Sequence, residues 1–279
     1  MSLLLGLFAA CAWALHDICV RHVSQKTSIL PALLSVLIFG SVLLAPVAAL
    51  QGGWAAMTAA AYGLCALSGV AFALASLSLY GAFAIGPVRL VAPIIGAYPV
   101  LSVGWGVMTG SPVTGLQWIA VLVVVLGVAL VAALSDRAES HGQTLRAVVL
   151  SLLAGGGFAL TFAAGQAGVR VGADLPVILT SRLVAALAIG VILIVRHHPL
   201  RIDKSVLPFL AAMGLLDAAA LASVTIAGTL PHPEFAAVAS SLFGMLTVVL
   251  AWAILKEPMT RAQWGAVALV FFGIGYLGV

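Results

Sequence analysis

Long apolar stretches separated by short polar connectors run the whole length of the chain, and none of them alternates apolar and polar residues in the two-residue rhythm of a barrel strand. Lipid offers backbone groups no hydrogen-bond partners, so unalternating apolar stretches long enough to cross a bilayer must be helices. A crossing takes about 20 residues. The pattern predicts ten spans, at 3–21, 29–50, 55–80, 87–108, 114–134, 147–169, 175–196, 205–229, 234–255 and 260–278. Ten spans of this size use about 220 of the 279 positions. The remaining connectors leave no room for a soluble catalytic or receptor domain.

Composition agrees with the pattern. The chain is 63% apolar and 7% charged, with a mean hydropathy of +1.24, whereas soluble domains carry roughly 25% charged residues. A net charge of +4 would suit nucleic acid if it were concentrated, but the basic residues are scattered one or two per connector, and no nucleic-acid partner is expected. They carry topology instead. Arg21, Lys26, Arg89, Arg137, Arg146, Arg196, Arg201, Lys204, Lys256 and Arg261 fall at one set of span ends, and Arg170 alone falls at the other. The positive-inside rule puts the crowded side in the cytoplasm, so both termini are expected outside a bacterial inner membrane. The first span has no basic residue before its apolar run and is expected to be retained rather than cleaved. Cys11, Cys19 and Cys65 all lie within spans and behave as small apolar residues, and no metal-ligand spacing or nucleotide-binding motif is present. Neither a cofactor nor direct ATP drive is expected.

Shifting the chain by 145 or 146 positions superposes its halves. "PVTGLQW" (112–118) falls on "PMTRAQW" (258–264), Pro87 on Pro233, Gly127 on Gly273, and "WAL" (13–15) on "FAL" (158–160). Two repeats follow, 1–138 and 139–279. Each contains five spans, an odd number, so the second enters the membrane inverted, the arrangement of transporters that expose a midplane site alternately to the two sides.

These five-span halves, with "WAL" and "FAL" in their opening helices and "P-x-T-x-x-Q-W" leading into their closing ones, resemble the EamA-type branch of the drug/metabolite transporter superfamily over essentially the whole chain. Length, topology and aromatic content are most similar to the YddG-type aromatic amino acid exporters. The resemblance implies a ten-helix basket whose central cavity is lined mainly by the first, third and fourth helices of each half, with the closing helices at the periphery. Small multidrug relatives carry a glutamate in their first helix where this chain has Trp13 or, one turn on, Asp17. That departure leaves facilitated export beside proton exchange.

Charges within the spans are the sharpest candidates, because intramembrane charge is costly and usually faces a bundle interior, a cavity or another charge. On α-helical spacing, Gly6, Ala9, Ala10, Trp13, His16, Asp17 and Val20 share one face of the first span. Asp17 either snorkels or pairs with Arg21 at i+4, or faces the cavity. His16 is either a packing residue or part of the same site. Arg182 and Asp217 sit at similar depths near the midplane, either as a structural pair or with a binding or coupling role. Trp13, Tyr80, Tyr98, Trp105, Phe158 and Phe162 are candidates for an aromatic cavity wall, and Ser76 and Gln166 for hydrogen bonding within it, with ordinary packing as the alternative. Pro93 and Pro99 mark the fourth span as the moving wall. Gly155, Gly156 and Gly157 offer a second flexible or tightly packed point, and "PHPE" (231–234) reads as a helix start.

The expected function is export of small metabolites, most of all amino acids including aromatic ones, by a chain for which a monomer suffices. Drug efflux is the alternative. A membrane-embedded enzyme using His16 and Asp17 is the remote one, since adjacent residues on a helix point about 100° apart and no third catalytic group is evident.

Overall fold

The computed structural model describes residues 1–98, 100–101, 104, 114–136, 141–227, 230, 236 and 239–277. Among them are ten α-helices: α1 (Ser2–Ser24), α2 (Ile29–Gln51), α3 (Ala59–Ile85), α4 (Val88–Gly96), α5 (Gly115–Asp136), α6 (His141–Arg170), α7 (Asp174–Val195), α8 (Leu207–Ala227), α9 (Phe243–Leu250) and α10 (Arg261–Leu277). Seven helical segments are long and apolar enough to cross a membrane, namely those of α1, α2, α3, α5, α6, α7 and α8. α9 runs on through a π-helical turn, Ala251–Leu255.

Local chemistry explains where the helices depart from the expected spans. The third begins later than predicted because a 3₁₀ turn, Trp54–Ala56, precedes it and Thr58 caps it, accepting a hydrogen bond from Ala61 N at 3.1 Å. It runs on to Ile85, where Gly86 and Pro87 end it. The sixth begins earlier than predicted, since nothing in the polar run from His141 breaks a helix. The fourth is the largest correction. α4 stops at Gly96, three residues beyond Pro93, and the chain tightens through three-residue hydrogen bonds from Ala97 N to Ile94 O (3.3 Å) and from Tyr98 N to Ile95 O (3.1 Å). Pro99, Trp105, Pro112, Arg137 and the "PHPE" stretch lie outside the described residues.

The recurring "T-x-x-Q" turns out to be a capping box. Thr114 N donates to Gln117 Oε1 at 2.9 Å while Gln117 N donates to Thr114 Oγ1 at 3.2 Å. Thr260 and Gln263 repeat both bonds at 2.9 and 3.2 Å. Each pair satisfies two N–H groups that a helix start leaves without intrahelical partners, so α5 and α10 begin at these residues.

The principal helix contacts form a set with its own exchange rule. α3 lies along α6 and α1 along α8; α3 meets α7 and α2 meets α8; α1 meets α9 and α4 meets α6; α2 packs on α7, α4 on α9 and α5 on α10. Advancing every label by five, counting round from ten to one, returns the same set. Side-chain detail follows the same shift. A Cβ on Gly127 would stand 2.7 Å from Val270 Cγ2, and one on Gly273 would stand 2.7 Å from Val124 Cγ2, so both glycines permit the α5–α10 crossing. Gly157 behaves alike against Ala75, at 2.7 Å, and α6 runs unbroken through Gly155, Gly156 and Gly157. Of the triplet, Gly157 therefore serves close packing, and none of the three breaks the helix.

The rim of the bundle is apolar. Leu122, Val125 and Leu126 of α5, Leu152 and Leu153 of α6, and Leu187 and Val191 of α7 are all exposed, as residues facing acyl chains would be. α5 and α10 contribute to neither of the two cavities described next.

Candidate functional site

α1 supplies the first wall of the site. Gly6, Ala9, Ala10, His16, Asp17 and Val20 are buried on the face that the helical spacing predicts, with Trp13 partly buried among them. The small residues near the N-terminus let α1 approach its neighbours closely, and the larger polar ones farther on border a cavity. That cavity holds about 660 Å³ of empty space, its opening included.

Trp13, His16, Asp17, Ser76, Tyr80, Tyr98, Phe158, Phe162 and Asp217 all line it. The rings interlock. Phe162 lies 5.8 Å from Trp13, 5.4 Å from Tyr98 and 6.4 Å from Phe158 between centroids, within the usual range for aromatic pairs. Two further rings belong to the wall that the spans alone did not single out: Phe243, 6.0 Å from Trp13, and Phe72, 6.1 Å from Phe158. The repeat carried the missing signal. At an offset of 145, Trp13 corresponds to Phe158, Asp17 to Phe162, Phe72 to Asp217 and Tyr98 to Phe243. α2 also contributes, through Leu33, Val36 and Leu37, so the wall is not confined to the first, third and fourth helices of each half.

Arg182 and Asp217 meet, Nη1 to Oδ2 at 2.5 Å, with Arg182 wholly buried. Trp13 Nε1 donates to the other Asp217 oxygen at 3.2 Å. Arg182 Nη2 reaches Val36 O at 3.5 Å, over Gly40, where a Cβ would stand 2.2 Å from the same nitrogen. Only glycine at position 40 lets the guanidinium lie there.

Asp17 differs from the expectation of a shallow carboxylate paired with Arg21. It is buried, and its neighbours are His16 Nδ1 at 3.4 Å and Thr247 Oγ1 at 3.3 Å, the latter hydroxyl also bonded to Phe243 O at 2.8 Å. The adjacent His16 and Asp17 do come within reach of each other, although neighbouring residues on a helix project about 100° apart. Among the described residues, His16 is the only basic side chain at ion-pair distance from Asp17.

Arg21 turns to a different task. It donates to Phe83 O, and Gln25 Nε2 donates to Ala84 O at 2.8 Å, so α1 caps the C-terminal carbonyls of α3. Glu257, which the sequence pattern did not single out, caps the start of α4, accepting from Val88 N (3.1 Å) and Arg89 N (3.3 Å). It also lies 3.8 Å from Arg21 Nε and 4.0 Å from Arg89 Nη1. A cation at a helix C-terminus and an anion at a helix N-terminus each complement the local dipole, and here they pair with each other as well. Arg89, expected at a span end, is buried in this knot. Lys256, with a left-handed φ of 56°, turns the chain out of the π-helix to present Glu257.

Gln166 and Arg182 line a second cavity of about 490 Å³ that shares Phe72, Phe162 and Leu221 with the first. Among the described residues no His, Cys, Asp and Glu group is arranged to hold a metal ion.

The model of the EamA-like transporter family matches residues 1–133 and 145–279. A comparison with curated proteins finds no match. Sixteen chains of solved structures match. One of them, described as "Crystal structure of protein", aligns over 98% of this chain and 94% of its own with a TM-score of 0.69 at 15% identity, a likeness of fold alone. With nearly the whole chain matched by the family's model, and with apolar helices enclosing a buried cavity, the chain belongs to the EamA-like transporter family of the drug/metabolite transporter superfamily, whose members carry small molecules across membranes.

Proposed function

We propose that this protein exports amino acids, aromatic ones foremost, from a bacterial cell by alternating access, in the manner of the YddG-type exporters. The observation behind this reading is the central cavity, where Trp13, Tyr98, Phe158, Phe162 and Phe243 surround space bordered by the carboxylates of Asp17 and Asp217. Rings offer apolar area and flat faces to an aromatic side chain, and a carboxylate offers an acceptor to an ammonium group.

In this account residues 1–138 and 139–279 are inverted five-helix repeats, and rocking one against the other opens the cavity first to one side and then to the other. The exchange rule among helix contacts, the paired capping boxes and the paired glycines of α5 and α10 all support it. Both termini face outward, in line with the basic asymmetry. The knot of Arg21, Arg89 and Glu257 then closes the cytoplasmic mouth, and the bend after Gly96, with Pro93 above it, is the pivot of the wall that α4 forms. One chain encloses the cavity, so a monomer suffices.

Efflux of cationic aromatic drugs is a second reading, favoured by Asp17, a cavity carboxylate whose one basic neighbour among the described residues is a histidine. Purified protein in sealed liposomes separates the two. Labelled phenylalanine, tryptophan, alanine and a cationic drug are followed in counterflow with and without a pH gradient. Saturable counterflow of the aromatic amino acids, chemically unchanged, is expected. Counterflow of the drug with none of any amino acid would overturn the proposal in favour of drug efflux, and product formation would point to an enzyme.

A further inference from the structure

The second cavity has a donor and acceptor pattern of its own. It shares Phe72, Phe162 and Leu221 with the central cavity, and the Arg182–Asp217 pair bridges the partition, Asp217 bordering the first cavity and Arg182 the second. Four hydroxyls line it, those of Ser68, Thr161, Ser181 and Thr225, and all but Ser181 spend their proton on a backbone carbonyl. Ser68 donates to Thr161 O at 3.0 Å, Thr161 to Gly157 O at 2.8 Å and Thr225 to Leu221 O at 2.9 Å. A hydroxyl has one proton and two lone pairs, so each of these three can still accept a hydrogen bond. Two donors complement them: Arg182 Nε–H, buried and without an acceptor among the described residues, an arrangement that is costly when nothing fills it, and the buried Ser181 hydroxyl.

Resting on the amino-acid reading, we propose that this cavity is a second substrate subsite, in series with the central one, that takes the amino acid's head group. The substrate's ammonium donates to the lone pairs of Ser68, Thr161 and Thr225, and its carboxylate accepts from Arg182 Nε–H. Phe72 and Phe162, common to both cavities, keep contact with the side chain as it passes from one to the other. The central cavity meets the ring and the ammonium, and the second meets both ends of the zwitterion. An amine or a carboxylic acid alone satisfies only half of the second site.

Arg182 is excluded from the test because its loss would disturb the pair with Asp217. The double variant Thr161→Val/Thr225→Val is nearly isosteric and removes two acceptors that border the second cavity and not the first. Binding of phenylalanine, phenethylamine and 3-phenylpropionate to the detergent-solubilised protein is measured alongside the thermal midpoint without ligand. The subsite requires phenylalanine to bind at least about fivefold more weakly to the variant, a loss of about 1 kcal/mol, with 3-phenylpropionate unchanged and the midpoint near that of the parent. Should the midpoint fall, Thr225→Val alone is measured in the same way. Unchanged phenylalanine affinity in a folded variant would overturn the subsite while leaving amino-acid transport standing. A parent protein that neither binds nor exchanges any amino acid would overturn both.

Discussion

At the scale of single residues, the chemistry of the site comes from breaking a near-symmetry. Asp17 stands where the other half has Phe162, and Asp217 where the first half has Phe72, so each carboxylate replaces a ring in one copy only. Asp217 gains Arg182 and Trp13 as partners, while Asp17 has His16 and Thr247. The meeting of Arg182 and Asp217 was legible in the sequence, because two opposite charges at equal depth in lipid have few alternatives to each other. The surroundings of Asp17 were not, since Thr247 lies 230 positions away and nothing in its local pattern points to α1. Replacing Asp217 by Asn leaves the Arg182 guanidinium buried and poorly compensated, at a cost of about 3–5 kcal/mol, which a thermal-unfolding midpoint should register as a marked drop. The double variant Arg182→Met/Asp217→Leu should recover most of that stability and still transport poorly. Wild-type transport by the double variant would confine the pair to packing.

At the scale of elements, helix ends and crossings decide the architecture more than propensity does. The long helices were legible because an unbroken apolar run of about 20 residues admits one reading in lipid. The interrupted ones were not. α4 ends after nine residues and α9 passes into a π-helical turn, yet both lie in apolar stretches as long as the others, and the prolines of the fourth marked a bend without fixing where the helix ends. Pro93 and the three-residue hydrogen bonds beyond it accompany the first break, and Glu257 ties the start of α4 to the turn after α9. If the knot closes one mouth, Glu257→Gln should speed maleimide labelling of a cysteine at Ser76 from the basic side, in a background lacking Cys11, Cys19 and Cys65. Unchanged labelling would make Glu257 a helix cap only. The α5–α10 crossing gives a paired test. Gly127→Ala and Gly273→Ala each force a methyl against a valine, and overpacking of this kind costs about 1–3 kcal/mol. The two midpoints should fall by similar amounts, and a large drop in only one would argue against equivalent crossings.

At the scale of the whole molecule, the repeat was legible because Pro, Gln and Trp recurring at one offset mark helix ends, where chance coincidence among Ala and Leu carries no weight. Substrate identity is less so, because it depends on which side chains from distant spans converge, and the offset of 145 becomes useful for that only once the cavity is known. Orientation rests on the basic asymmetry. A reporter fused after Val279 should be active only if it functions outside the cytoplasm, and a cytoplasmic signal would reverse the assignment of every mouth and gate. The central claim is that the aromatic cavity holds the substrate's side chain. It is tested most directly by comparing tryptophan and alanine counterflow in the Trp13→Ala variant, with Tyr98→Ala as its companion. Lost apolar contact scales with the area it covered, at about 25 cal/mol per Å², so tryptophan exchange should fall about tenfold and alanine exchange much less. Equal losses for both substrates, or no loss for either, would contradict it.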